Sequence, residues 1–140
     1  MRVIVSRMIW TAMLLAVVVP GSALAVDTLD TSFLHEPAIG EDRIVFVYAE
    51  DLWTSKADGT DVRRLTAHAG SESNPHLAPD GKSVAFTADY DGNPDVFTVP
   101  IDGGEPARLT WHPGPDIVCG FAPDGAVLFR SPREIGRAHV

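Results

Sequence analysis

The sequence predicts an all-β chain, an incomplete β-propeller of about two and a half four-stranded blades following an N-terminal signal peptide. Three observations carry that expectation. Leu65-Thr66-Ala67-His68 returns as Leu109-Thr110-Trp111-His112, and Pro79-Asp80-Gly81 returns as Pro123-Asp124-Gly125, both after 44 residues. Two unrelated tags at one spacing mark an internal repeat, and this length suits a propeller blade. Turn signals recur about every ten residues, with no sustained helical periodicity between residues 26 and 133. A closed ring needs at least about four blades, so the chain is expected to stop before the ring closes.

The first segment is a targeting signal. Arg2 and Arg7 supply positive charge ahead of an apolar run from Met8 to Val19, which Pro20-Gly21 ends. Ala23-Leu24-Ala25 supplies the small residues of a cleavage site, so residues 1–25 read as a signal peptide cut between Ala25 and Val26. A membrane anchor is the competing reading, and the run falls short of the ~20 apolar residues that a span requires. The residue directly after the cut is Val26 and not Cys, which removes the simplest lipoprotein reading. The expectation is a periplasmic or secreted chain, with no stable membrane insertion after cleavage.

Residues 26–133 then form the partial propeller, with blades over approximately 35–68, 74–112 and 117–132. The first blade opens at Pro37-Ala38-Ile39, turns at Gly40-Glu41-Asp42 and enters Arg43–Tyr48, the most β-prone run of the chain. Ala49-Glu50 makes a tight connection to a strand over Asp51–Lys56. Asp58-Gly59 is a hairpin signal, because glycine supplies the positive φ that such turns need. Val62–Thr66 is the outer strand. The second blade repeats this order with Pro75–Leu77, Ser83–Ala88, a longer loop over Asp89–Pro94, Asp95–Val99 and Pro106–Thr110. The third offers Ile117–Phe121, a turn at Pro123-Asp124-Gly125 and Val127–Arg130. Residues 134–140 resemble one reading frame of a common sequencing-library adapter and are read as a non-native tail.

Charge narrows the partners. With 11 basic and 19 acidic residues the chain carries a net charge of −8. Such a surface repels phosphate, which argues against nucleic acid. Cys119 is the only cysteine, so no intrachain disulfide can form, and its setting in Ile117–Phe121 reads as a buried strand position.

The candidates for chemistry are few. Asp89, Asp91 and Asp95 bring three carboxylates into one loop, as a hard cation prefers, but the spacing departs from a calcium loop and suits an ordinary hairpin. His68 and His112 hold one repeat position and read as loop-capping or packing groups. His76 lies on an innermost strand, within reach of a central channel, and His35 precedes the first blade. Arg63, Arg64 and Arg108 read as solvated edge charges. Trp53, Phe97 and Phe121 read as core aromatics. No serine sits in a Gly-x-Ser-x-Gly elbow, and no phosphate-binding glycine loop occurs. The expectation is therefore no catalytic, cofactor-binding or metal-binding residue, and no cofactor.

Asn74–Phe86, Tyr90–Phe97 and Gly103–Pro113, together with Arg43–Tyr48, Asp51-Leu52-Trp53 and Arg63–Thr66, resemble the N-terminal propeller of tricorn-type proteases. The resemblance covers nearly all of residues 33 to 132. The Pro-Asp-Gly and Leu-Thr tags alone are shared with Tol-system and prolyl-peptidase-like propellers. The Tyr-Asp-Gly-Asn-Pro-Asp and Gly-Gly-Glu-Pro combination is more specific. It implies a fragment of an exported serine peptidase with two propellers, a PDZ domain and a tail-specific-protease core, whose propellers gate or channel peptides. None of that family's catalytic positions has a counterpart here. Thr60, Ala78 and Ala122 are mild departures from its pattern. Peptides or proteins are the implied partners, and an oligomer is possible for the full-length protein. The alternatives are a non-enzymatic Tol-associated scaffold and the propeller of a prolyl-oligopeptidase-like hydrolase. Alone, the open arc is expected to be poorly soluble and without peptidase activity.

Overall fold

A computed structural model describes residues 34–132. The expected signal peptide and the 134–140 tail lie outside the described residues. The ten strands are β1 (Leu34–Ile39), β2 (Arg43–Tyr48), β3 (Asp51–Lys56), β4 (Arg63–Arg64), β5 (Ser71–Leu77), β6 (Ser83–Asp89), β7 (Pro94–Pro100), β8 (Ala107–Arg108), β9 (Ile117–Phe121) and β10 (Val127–Arg130). They form two four-stranded antiparallel meanders, β1-β2-β3-β4 and β5-β6-β7-β8, followed by the β9-β10 hairpin. This is the expected all-β, incomplete propeller. The first strands of the three sheets, β1, β5 and β9, neighbour one another.

Alternation of side chains along the strands explains the stacking. Val45, Val47 and Leu52 of sheet one and Val84, Phe86, Ala88, Phe97 and Val99 of sheet two close into one apolar cluster. Residues of opposite parity on sheet two, Ala85 and Val96, pack with Val118 of the hairpin. Sheet two is thus covered on both faces, which is why its strands read as nearly continuous apolar runs. Each large aliphatic or aromatic group removed from water here contributes about 1.5–3 kcal/mol.

Turn chemistry sets the register. Ala49 and Glu50 join β2 to β3 with φ of 51° and 68°, both in the left-handed region, as a two-residue type I′ hairpin requires. At the repeated Pro-Asp-Gly turns, Asp80 Oδ1 accepts from Lys82 N at 3.0 Å and Asp124 Oδ1 accepts from Ala126 N at 3.1 Å. The glycine that follows each carboxylate has positive φ, 69° at Gly81 and 86° at Gly125.

Two expectations change in detail. The outer strands are only two residues long. Beyond Arg64 and Arg108 the backbone leaves the ladder, and Leu65 N and Leu109 N each donate at 2.8 Å to a carbonyl of the third strand, that of Leu52 and of Val96. The innermost strands of the first two sheets, β1 and β5, are longer than expected and each carries a bulge, with Glu36 and Asn74 at φ of 52° and 51°. Glu36 Oε2 accepts from Asn74 N at 2.6 Å, so the two bulges are tied together.

Candidate functional site

The polar groups of the chain collect where one sheet hands over to the next. At the first joint, Leu65 and Thr66 turn back over β3. Thr66 Oγ1 accepts from Leu52 N at 2.9 Å, and the Thr66 hydroxyl donates to Glu72. Glu72, buried on β5, also accepts from Leu52 N at 2.8 Å and from the Tyr90 hydroxyl at 2.5 Å. Its own backbone N donates to Glu50 O at 3.0 Å. Burial pushes the Glu72 carboxyl above the ordinary glutamate range; hydrogen bonds from Thr66, Tyr90 and Leu52 oppose that shift, and nearby Asp51 adds to it. Burial and the same carboxylate push the Tyr90 hydroxyl far up. The ring of His68 stacks on Tyr90 with centroids 3.7 Å apart, and His68 Nδ1 accepts from Gly70 N at 3.3 Å.

The second joint is built from the repeat partners of the first. Thr110 Oγ1 accepts from Val96 N at 3.0 Å and donates to Asp95 at 2.8 Å. Asp116 is fully buried, and its backbone N donates to Pro94 O at 2.9 Å. His112 Nδ1 accepts from Gly114 N at 3.0 Å, and Asn93 Nδ2 donates to His112 O at 3.0 Å. The reading of His68 and His112 as loop-capping groups matches this geometry.

Several other sequence readings are corrected here. Arg108 is not a solvated edge charge, whereas Arg64 is exposed on the edge strand β4 as expected and pairs there with Asp51. Arg64 Nη2 lies 2.6 Å from Asp51, and Arg108 binds the buried Asp95 at 2.5 Å and Asp91 at 3.0 Å. Arg63 reaches from sheet one to the next sheet, donating to Ile101 O and Asp102 O at 2.9 Å each. The Asp89–Asp95 loop is thereby accounted for as an ion-paired hairpin, since Arg108 holds two of its three carboxylates. Among the described residues no group of three or more His, Cys, Asp or Glu is arranged to hold a metal ion. Cys119 is exposed rather than buried, because Val118 beside it takes the inward position. Phe97 is buried, whereas Trp53 and Phe121 are half-buried. Phe121 follows Leu77 in the repeat rather than Trp53 and Phe97.

The surface open to a ligand lies at the inner strands and their turns. His35 is exposed, with Nδ1 3.8 Å from Glu36. His76 is half-buried and faces β9, where a methyl group added at Gly120 would stand 3.9 Å from its Nδ1. A cleft of about 330 Å³ opens between the first hairpin turns of sheets one and two, lined by Ile39–Arg43 and Leu77–Gly81. A related cleft, between the turns of sheet two and the hairpin, includes Asp80, Phe121 and Asp124. These clefts present carboxylates and backbone groups. The buried hydroxyl–carboxylate pairs of the joints, Thr66 with Glu72 and Thr110 with Asp95, do not line these clefts. The joints themselves were missed by sequence reasoning. Their signal was present, because Asp51, Arg64, Thr66, Gly70 and Glu72 are followed 44 residues later by Asp95, Arg108, Thr110, Gly114 and Asp116.

A sequence model of the tricorn protease N-terminal beta propeller domain matches residues 31–140. Tricorn protease homolog 1 of Streptomyces coelicolor is 34% identical over 65 residues, which are 46% of this chain and 6% of the relative. The Tol-Pal system protein TolB of Bordetella pertussis is 37% identical over 43 residues, 31% of this chain and 10% of that protein. The crystal structure of the tricorn protease superposes with a TM-score of 0.62 at 28% identity, covering 69% of this chain and 10% of that one. TolB from Acinetobacter baumannii shares the fold, with a TM-score of 0.58 at 21% identity over 70% of this chain and 27% of that one. The chain thus spans a tenth or less of the length of these two curated relatives.

Proposed function

We propose a function from one premise: the chain belongs to the family of tricorn protease N-terminal β-propeller domains. On that premise it is a segment of an exported, tricorn-like serine peptidase. Its propeller meets peptide substrates along the inner strands and the turn clefts, and a catalytic core elsewhere in the protein cuts them. The observation that carries this reading is the family match over residues 31–140. The site geometry is consistent with it: hydrogen-bonded sheets hold turn clefts lined by backbone groups and by carboxylates such as Glu41, Asp42, Asp80 and Asp124. Export follows from the Arg2, Arg7 and Ala23-Leu24-Ala25 pattern.

A second reading is favoured by one specific observation, the 37% identity over 43 residues to the Tol-Pal system protein TolB. On this reading the propeller is a non-enzymatic scaffold that binds proteins in the same exported compartment. One experiment separates the two. The coding DNA downstream of the Arg133 codon is recovered and translated. A second propeller, a PDZ domain and a tail-specific-protease core are expected. A stop after one ring overturns the peptidase reading in favour of the scaffold, and an α/β-hydrolase domain overturns both.

A further inference from the structure

Five Asp-Gly pairs lie in turns of the described chain, at Asp58, Asp80, Asp91, Asp102 and Asp124. Such a pair carries a latent reaction. Glycine leaves its own backbone N unobstructed, and that N can attack the aspartate Cγ to close a cyclic succinimide. In a folded chain two things set the rate: whether the carboxyl group is free to swing onto the N, and how acidic the N–H is.

Four of the carboxylates are held. Asp58 Oδ1 accepts from Thr60 N at 2.9 Å and from the Thr60 hydroxyl at 2.6 Å. Asp80 Oδ1 accepts from Lys82 N at 3.0 Å, and Asp124 Oδ1 from Ala126 N at 3.1 Å. Asp91 Oδ2 accepts from Arg108 Nη1 at 3.0 Å. Asp102 differs. It is the repeat partner of Asp58, 44 residues on, but Gly104, with φ of 144°, stands where Thr60 does, so no hydroxyl closes on the carboxylate. Among the described residues its side chain has one polar contact, Arg63 Nη2 at 3.5 Å, and it is 88% exposed. That openness belongs to the turn itself: the equivalent turn of sheet one, residues 56–62, is exposed although sheet two follows it.

Arg63 also acts on the nucleophile. Its Nη1 donates to Asp102 O at 2.9 Å, and that carbonyl is conjugated with Gly103 N. A guanidinium on the carbonyl oxygen draws electron density from the amide nitrogen and makes the N–H more acidic. Gly103 N donates to Pro100 O at 2.9 Å, as Gly59, Gly81 and Gly125 N donate within their own turns, so that bond does not set the pairs apart.

We propose that Asp102-Gly103 is an isomerisation site, where the folded chain converts Asp102 to isoaspartate ahead of its other Asp-Gly pairs, with Arg63 activating the backbone amide that attacks. The Gly103 N–Cγ bond forms as the C–OH bond of the protonated carboxyl breaks, and the hydroxyl leaves as water with the N–H proton. Water then reopens the ring, and attack at the Asp102 backbone carbonyl leaves the chain running through Cγ. The extra backbone carbon falls between the two carbonyls that Arg63 grips from sheet one, those of Ile101 and Asp102, so the grip of one sheet on the next is loosened. The inference is independent of the peptidase reading.

The full 140-residue chain, aged at neutral pH and body temperature, tests this. Peptide mapping with electron-transfer fragmentation locates isoaspartate at each pair. Asp102 is expected to accumulate at least about threefold more than any other pair. In concentrated urea the five are expected to converge, because glycine follows every one of them. Arg63→Gln is expected to slow the reaction at Asp102 about threefold or more, as loss of a charged hydrogen bond to the amide implies. Thr60→Gly is expected to raise isomerisation at Asp58 by releasing its carboxylate. Aged wild type is expected to show a lower Tm than when fresh, and Asp102→Glu aged beside it is not. Circular dichroism checks that the variants are folded; if Arg63→Gln is not, Thr60→Gly still tests the carboxylate hold. Another pair leading in the folded chain, no isoaspartate at Asp102, or an equal lead of Asp102 in urea overturns the site. An Arg63→Gln rate at or above wild type overturns the part given to Arg63, and an unchanged Asp58 in Thr60→Gly overturns the part given to the carboxylate hold.

Discussion

Replacing Glu72 probes the joint between the first two sheets most directly. The side chain is 2% exposed and accepts three hydrogen bonds, from Leu52 N, the Thr66 hydroxyl and the Tyr90 hydroxyl. A buried donor deprived of its acceptor costs roughly 1–3 kcal/mol. The three losses in Glu72→Ala are unequal. Leu52 N keeps Thr66 Oγ1 at 2.9 Å, and half-buried Tyr90 can turn its hydroxyl to water, so the Thr66 hydroxyl bears most of the cost. A small cavity adds to the loss, and relief from burying an anion subtracts from it. The expected destabilisation is about 2–4 kcal/mol. Glu72→Gln keeps the shape but turns an amide NH₂ toward a donor, and about 1–3 kcal/mol is expected. The pH dependence has a definite sign. The folded-state pKa of Glu72 lies above its unfolded value of 4.5, so the fold favours the protonated carboxyl. That contribution to stability is fully present below 4.5 and is lost as pH rises through the raised folded value. In Glu72→Gln it is absent at every pH. Urea unfolding followed by tryptophan fluorescence between pH 4.5 and 8 measures both effects. An Ala variant costing under about 0.5 kcal/mol, or a Gln variant whose stability follows the wild-type pH slope above 4.5, would refute the assigned role of the carboxylate.

Three further outcomes are expected. Gly70→Ala places a Cβ 2.0 Å from Asp89 O and should cost at least about 3 kcal/mol, whereas Gly92→Ala meets no atom within 4 Å and should cost only about 1 kcal/mol for its φ of +84°; thermal unfolding ranks the pair. Arg108→Ala strands Asp95, which is 1% exposed, and should cost about 3–5 kcal/mol, while Arg64→Ala, with a more exposed cation, should cost about 1 kcal/mol; equal losses would contradict the burial difference. Cys119 should react with a thiol reagent in the native protein without denaturant, and a reaction that requires unfolding would contradict its exposed position.

What the sequence disclosed depended on the range of the interaction involved. Arg43–Tyr48, Asp51–Lys56, Ile117–Phe121 and Val127–Arg130 were legible to the residue, because each is an apolar run closed by turns whose chemistry is local. The outer strands were overextended, because Leu65 and Leu109 look like strand residues, yet their backbone turns to a carbonyl of the third strand. Arg108 was misread because its buried carboxylate partner, Asp95, lies 13 residues earlier in the chain, on another strand. Cys119 was misread because the alternation of β9 has only a five-residue strand to establish it. The clustering of Thr66, Glu72 and Tyr90 depends on how two sheets meet, and the hydrophobic pattern of a single strand carries no information about that.

The handover bond, from Glu72 N to Glu50 O and again from Asp116 N to Pro94 O, spans only two short segments of chain. Each joint is therefore a small wedge whose angle is set by neighbours a few ångströms away, before any distant part of the molecule exists. An architecture assembled from such wedges acquires its curvature one increment at a time. A substitution at a single wedge would then alter the sweep of the whole arc while leaving every individual sheet intact.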